Sequence, residues 1–331
     1  MTNKEMKKVA IKASVFAIVS ISLMLIRSAT KHIMITDAAG VQIDRGSSEN
    51  AYTLLVDKNV PRDKSDVLII PLPKSVSSDN IVLEDGYIDH QLRIYIDSRE
   101  EGFYKDNAIV TDLDIIKSAL CVEQNDTGSV CLDFELDNLY ANESTLTESS
   151  AIEVKFCRPS EKYDRIVAVD TDSTLRETAL LLKNIASRDP DNDIKFYFTS
   201  QTDETVSTEI KEALVKDCQA DLLIGISEGG DNADNGLTCC YNDRYFLRRL
   251  TNARFADIVE RSCAVTCALP ALGVVPAEDD ELLETSEIPS ARLKIGFDAV
   301  AEGENPAAKE DMNKVAQGVY NAVLEAFEVM E

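Results

Sequence analysis

The sequence predicts an α/β protein whose C-terminal domain has a mostly parallel central sheet covered by helices. An all-β, sandwich-like domain precedes it, and an N-terminal transmembrane segment comes first. Three observations predict this. A basic flank leads into an uncharged apolar stretch before Arg27. Short β-rich runs recur at hairpin spacing as far as Cys157. From Asp164 onward, strand-like runs alternate with helical patterns. The divisions are 1–30 for a signal anchor, 31–48 for a stalk, 49–157 for the β-rich domain and 164–331 for the α/β domain. A chain of 331 residues is long enough for two separate cores.

Lys4, Lys7, Lys8 and Lys12 precede the apolar run from Ala13 to Ile26, which Arg27 closes. Positive flank and apolar run together are the layout of a signal anchor or a secretory signal. The run is short for a spanning helix unless the Lys12 stem snorkels and Val9 to Ile11 join it. Arg27-Ser28-Ala29-Thr30-Lys31 lacks the small-residue pattern of a cleavage site, which favours an uncleaved anchor. Positive residues stay inside, so the expected location is the cell membrane, single-pass, with the bulk of the chain extracytoplasmic.

Residues 31–48 are polar and turn-rich, as a stalk would be. Beyond them, Thr53 to Val56, Val67 to Ile70, Leu92 to Ile96, Ala108 to Val110, Ser129 to Phe134 and Ile152 to Phe156 read as strands. Pro, Asp, Ser and Gly bound them. Arg158 to Lys162 is a polar break. The following elements read as a strand over Ile166 to Asp170, a helix over Leu175 to Ala186 and a strand over Ile194 to Phe198. A helix from Val206 to Val215 leads to a central strand over Asp221 to Ile226. Leu237 to Tyr241 is the next strand, then a helix from Tyr245 to Arg261. Loops around a short strand fill 270–289, a last strand covers Ala291 to Phe297, and a closing helix runs from Ala307 to Val329. Alternation of this kind builds a sheet sandwiched between helices.

Composition narrows the function classes. The chain is 44% hydrophobic and 28% charged, with a formal charge of −25. Such a surface repels phosphate backbones, which excludes nucleic acid as a partner. It also opposes adhesion to anionic lipid by charge, so membrane attachment rests on the apolar N-terminus. Eight cysteines are even in number but contain no Cys-x-x-Cys pair. Cys263 and Cys267 share a helix face, which suits core packing; Cys239 and Cys240 point to opposite faces of a strand. Disulfides and small buried hydrophobes remain equally open readings.

Five segments of the second domain, in order, resemble the zinc-dependent N-acetylmuramoyl-L-alanine amidases (the amidase type 3 group). The family opens with a strand ending in Asp-Pro-Gly-His-Gly-Gly; here Ile166 to Asp170 is followed by Thr171-Asp172-Ser173. Its Leu-Thr-Arg corresponds to Phe198-Thr199-Ser200. Its Ala-Asp-Leu-Phe-Ile-Ser-Ile-His corresponds to Ala220 to Ser227, with Gly225 at the family's Ser. Gly236 to Tyr241 resembles the next strand. The family's Ile-Pro-Ala-Val-Leu-Val-Glu-Ile-Gly-Phe corresponds to Ile288 to Phe297. The resemblance covers roughly 164–330. The β domain resembles, more loosely, the AMIN domain that can precede such catalytic domains and bind cell wall.

What the resemblance implies about chemistry is a loss. A catalytic zinc takes three protein ligands and one open position for water. The family's His, Glu and His fall on Ser173, Glu177 and Ser227, and its general base falls on Lys294. The two histidines of the chain, His32 and His90, lie outside this domain. An ammonium beside a metal site repels the cation and is no base at neutral pH. Zinc is therefore expected to be lost, with no cofactor in its place.

Ser173 and Ser227 read as hydrogen-bonded loop residues at strand ends, because no His stands near to activate them. A Ser–Lys arrangement through Lys294 is a minor alternative, and a Glu177–Lys294 salt bridge could replace the metal. Glu228 opens a polar turn through Asn235 whose carboxylates could take Ca²⁺, without the full alternation of a calcium loop. The expected function is an inactive amidase homologue that binds peptidoglycan or muropeptides, or docks on an active hydrolase or envelope complex. The alternatives are an active hydrolase using another metal site or mechanism, and a purely structural scaffold.

Overall fold

A computed structural model describes residues 34–37, 51–61, 64–98, 100, 102–124, 129–200, 206–229, 236–245, 247, 249–296 and 306–331. The expected anchor over 1–30 and the turn over 230–235 lie outside the described residues, as does most of the stalk. Among the described residues no helix is long and apolar enough to cross a membrane.

The first domain contains β1 (Met34–Asp37), β2 (Ala51–Thr53), β3 (Val56–Asp57), β4 (Val67–Pro71), β5 (Ile81–Gly86) and β6 (Gln91–Asp97). A short helix α1 (Phe103–Asp106) and strands β7 (Ile109–Val110), β8 (Ile116–Gln124), β9 (Ser129–Leu136), β10 (Ala141–Leu146) and β11 (Ala151–Cys157) complete it. The strands form two sheets, β1-β5-β6-β9-β8-β2 and β10-β11-β4-β7-β3. Leu68, Ile70, Ile152 and Val154 of the second sheet pack on Leu83, Ile94, Leu132 and Phe134 of the first, all fully buried. Alternating strands that bury one face each give the sandwich the sequence predicts. Met34–Asp37, inside the stretch expected as a stalk, is a strand parallel to β5.

Three further strands escape the sequence pattern, each for a local reason. β10 is an edge strand, buried only over Ala141 and Asn142 and otherwise polar. A register shift between Ile116 and Ser118 interrupts alternation in β8. β5 carries Glu84 in its interior, where Tyr95 Oη donates to the carboxylate at 3.0 Å and Arg93 lies 3.8 Å away.

After α2 (Pro159–Lys162), the second domain runs β12 (Arg165–Thr171), α3 (Arg176–Ser187), β13 (Ile194–Phe198), α4 (Thr208–Asp217), β14 (Leu222–Glu228) and β15 (Gly236–Tyr241). Next come α5 (Asn252–Cys267), β16 (Ala271–Pro276), α6 (Glu281–Thr285), β17 (Ser290–Gly296) and α7 (Pro306–Met330). The sheet order is β13-β12-β14-β17-β15-β16. β12, β13, β14 and β17 are parallel, and β15 is antiparallel to β17. Helices α3, α5 and α7 cover one face, where Ala179, Leu182, Phe255, Val259, Val319 and Val323 meet Val167, Ile224 and Leu293. Gly318 lets α7 lie close on α5, since a Cβ there would sit 2.8 Å from Cys263 Cα.

The expected start of α5 at Tyr245 needs correcting: the helix begins at Asn252. The Thr251 hydroxyl caps it by accepting from Arg254 N–H. Asn242 and Asn252 fix the preceding loop. Asn242 Nδ2 donates to Leu283 O and Ser286 O, and Asn252 bonds Asn242 O and Ser290 N–H.

The other sheet face carries α4, α6 and a piece of the β domain. Tyr87, in the turn after β5, and Leu139 share a core with Ile166, Ala168, Tyr197, Leu214, Leu223 and Leu282. β13 is an edge strand, paired on one side only, with β12. The buried Tyr87 hydroxyl accepts from Phe198 N–H at 3.0 Å and donates to Phe198 O at 3.3 Å, as a neighbouring strand would. Its ring meets Tyr197 edge-on at 5.0 Å. His90, in a left-handed conformation at φ 54, reaches Asp217 at the end of α4 with 3.3 Å between Nε2 and Oδ2. The two domains are thereby packed together.

All eight cysteines are free thiols, and six are buried. Cys239 enters one core and Cys240 the other, as their alternation on β15 requires. Burial pushes the thiols up, to about 11 for Cys121 and about 12 for Cys131 and Cys218. In the native chain, a thiol reagent at neutral pH should reach at most the half-buried Cys157 and Cys267, and all eight only after denaturation; fast reaction of the core thiols would contradict this packing. Tyr87→Phe should cost about 1–3 kcal/mol by orphaning both groups of Phe198. Hydrogen exchange at the Phe198 amide should quicken while β12 amides stay unchanged.

Candidate functional site

Open parallel sheets place ligand crevices beyond the carboxyl ends of their strands. Here β12, β14 and β17 end side by side. Asp170 pairs with Gly225 and Gly225 with Arg292, forming one row across three strands. Two residues further along, Ser227 stands opposite Lys294, and Lys294 opposite Thr238 of β15. Alternation puts Asp170, Gly225, Ser227, Arg292 and Lys294 on one face, the face that α4 covers.

The residues singled out in the sequence fall around this end of the sheet. Ser173 is exposed and opens the single 3₁₀ turn that follows β12. Asp172 folds that turn against β14: its N–H donates to Ile226 O, and its carboxylate accepts from Glu228 N–H at 3.2 Å. Glu228 is the last, exposed residue of β14. Glu177 is half-buried in the first turn of α3. Ser227 and Lys294 are brought together on neighbouring strands; Glu177 and Lys294 are not. Among the described residues no ion pair joins those two. The reason is the pleat: Lys294 alternates away from the face on which α3 packs.

The reading of Ser227 as a hydrogen-bonded loop residue also needs correcting. It lies within β14, and its Oγ is buried with no hydrogen-bond partner among the described residues. The register sets Ser227 beside Lys294 on one sheet face, with the Ser227 hydroxyl enclosed.

Beside these residues lies a buried ion-pair network that the sequence reading did not single out. Asp170, 2% exposed, accepts from Thr199 Oγ1 at 2.5 Å and pairs with Lys211 Nζ of α4 at 2.7 Å and Arg292 Nη2 at 2.8 Å. Arg292 turns its Nε to Asp280 Oδ2, just before α6, at 2.5 Å. The guanidinium reaches Asp170 by crossing Gly225, where a Cβ would sit 2.7 Å from Arg292 Cζ and 2.9 Å from its Nε. Burial works to raise the Asp170 pKa, but Arg292, Lys211 and Thr199 outweigh it and hold the carboxyl below its ordinary value. An Arg inside a buried strand, beside a strand with an interior Gly, is the sequence signal for such a crossing.

The residues at the strand ends do not fit a zinc ion. Zinc binds imidazole, thiolate or carboxylate, and these positions hold two hydroxyls, one of them enclosed, one carboxylate and an ammonium. Among the described residues no three His, Cys, Asp or Glu side chains come together as a metal site.

No protein-family model and no curated protein matches this sequence. Solved structures similar to it are N-acetylmuramoyl-L-alanine amidases, each matching 50% of this chain. One is the catalytic domain of CwlV from Bacillus (Paenibacillus) polymyxa var. colistinus, at 16% identity, TM-score 0.41 and 99% of that chain. A second is from Clostridium difficile 630, at 18% identity, TM-score 0.42 and 97% of that chain. A third is the CwlD amidase of Clostridioides difficile in complex with the GerS lipoprotein, at 12% identity, TM-score 0.38 and 99% of that chain.

Proposed function

We propose that this chain is a catalytically inactive homologue of the N-acetylmuramoyl-L-alanine amidases. Held at the cell membrane by its N-terminal segment, it acts outside the cytoplasm as a peptidoglycan-binding or regulatory protein. One observation carries the reading. The positions that resemble the family's ligands and base cluster at the carboxyl ends of adjoining parallel strands, yet carry Ser173, Ser227 and Lys294. The place suits a site, and its chemistry does not suit hydrolysis. A metal-assisted amidase needs a Lewis acid, a polarised water and a proton acceptor. Hydroxyls and an ammonium supply none of these, but the exposed Ser173 hydroxyl and the half-buried Lys294 ammonium can donate hydrogen bonds to the carbonyls and carboxylates of a glycan-linked peptide.

Partners that fit this reading are peptidoglycan or muropeptides and, for a regulatory role, an active hydrolase or an envelope complex. The chain's charge of −25 leaves nucleic acid aside.

Two measurements on the full chain test the proposal. After dialysis against excess zinc, the protein should retain less than about 0.1 zinc per chain. It should also co-sediment with purified peptidoglycan sacculi without releasing stem peptides. Close to one zinc per chain together with amide cleavage would sink the inactive reading. Failure to co-sediment, with no zinc bound, would remove the peptidoglycan-binding one.

A further inference from the structure

The resemblance implies a metal that these residues do not fit, and the same strands carry an unexpected internal cation. We propose that the Arg292 guanidinium, seated across Gly225 between Asp170 and Asp280, is the positive centre that ties the strand ends together in this chain. The site is then assembled without a metal ion. This rests on the reading of the chain as an inactive amidase homologue.

The geometry carries it. Asp170 lies at the end of β12, Gly225 in β14 and Arg292 in β17, in one register row. The guanidinium bonds the first at 2.8 Å and Asp280, before α6, at 2.5 Å, so a single residue joins β12, β17 and the α6 segment. Lys211 brings in α4 at 2.7 Å, and Thr199 the end of β13 at 2.5 Å. Against the family pattern, Arg292 stands where an apolar Leu is usual, and Gly225 where Ser is usual. The two departures are coupled sterically, because any Cβ at 225 would strike the guanidinium at 2.7 Å. Arg suits the role: it stays charged, and its planar fork engages two carboxylates at once.

The groups facing Asp170 are Arg292, Lys211 and Thr199, with Asp280 on the far side of Arg292. Because the folded-state pKa of Asp170 is depressed, its contribution to stability is present above the unfolded-state pKa. That contribution is lost as pH falls through the lower folded-state value. Weakening the network moves the acid unfolding limb to higher pH.

The test is thermal and acid unfolding of the full chain, with EDTA or with excess zinc. Arg292→Leu and Gly225→Ala should each lower the thermal midpoint by about 5 °C or more and shift the acid limb upward. The double change Gly225→Ser with Arg292→Leu should be milder than the sum, because the clash disappears with the guanidinium. Lys211→Met, which keeps the Arg292 pairs, reads the acid limb if Arg292→Leu does not fold. If Arg292→Leu or Lys211→Met melts and acid-unfolds like the unaltered chain, with no effect of zinc, the tie is wrong and the inactive reading stands. If zinc raises the midpoint of the unaltered chain and binds stoichiometrically, the inactive reading itself falls.

Discussion

A buried charge must be answered where it sits, and that constraint organises the carboxyl end of the sheet. Asp170 is closed off from solvent in the central region of the sheet, where an isolated carboxylate would be expensive to keep ionised. Its answer comes from three directions: Arg292 across the neighbouring strand, Lys211 from the covering helix, and the Thr199 hydroxyl from the edge. Each partner fixes the element that carries it. Gly225 follows from this arrangement, since only a residue without a side chain leaves room for the guanidinium to pass. Residues far apart in sequence thus depend on one another.

A second constraint acts at the edge of the same sheet. An exposed edge strand invites pairing with other chains, and β13 is such an edge. The β domain meets it with a single side chain, Tyr87, whose hydroxyl serves both backbone groups of Phe198. The tyrosine can do so because it presents an apolar ring to the core and one polar atom at its tip. Phe198 is followed directly by Thr199, which bonds Asp170. The domain contact and the buried charge row are therefore adjacent along the chain.

The second domain was largely legible in the sequence, because strands buried on both faces read as unbroken apolar runs such as Ile166 to Val169 and Leu222 to Ile226. Its helices carry long apolar stripes. The β domain was legible where alternation is clean and opaque in β5, β8 and β10. There a buried Glu84, a register shift and a polar edge position mask the period. The start of α5 was misplaced because Tyr245 to Leu250 is apolar enough to extend the helix. The helix starts instead at Asn252, where the Thr251 hydroxyl caps it. At the site, motif wording located Ser227 and Lys294 on facing strands, but it said nothing of which sheet face a side chain takes. That is why the Glu177–Lys294 pair looked plausible in the sequence and is not formed. The Asp170 network was missed for a different reason. The network is a relation among five distant residues, and only the Arg in a buried strand beside a strand with an interior Gly signals it.

Under the proposed inactive reading, charge opposes zinc at these strand ends. Two unit charges about 4 Å apart at an effective dielectric near 20 interact by about 4 kcal/mol, and a divalent ion doubles that. A lysine ammonium such as Lys294 would therefore oppose a metal placed beside it. Placing imidazoles at 173 and 227 leaves that repulsion intact. Removing Lys294 alone leaves hydroxyls that bind no zinc. Arg292 adds a second fixed cation two residues, roughly 6.6 Å of strand, away on the same face. Losing that cation would leave Asp170 with Lys211 and Thr199 alone. In the proposed arrangement the positive charge at the strand ends belongs to Arg292 itself.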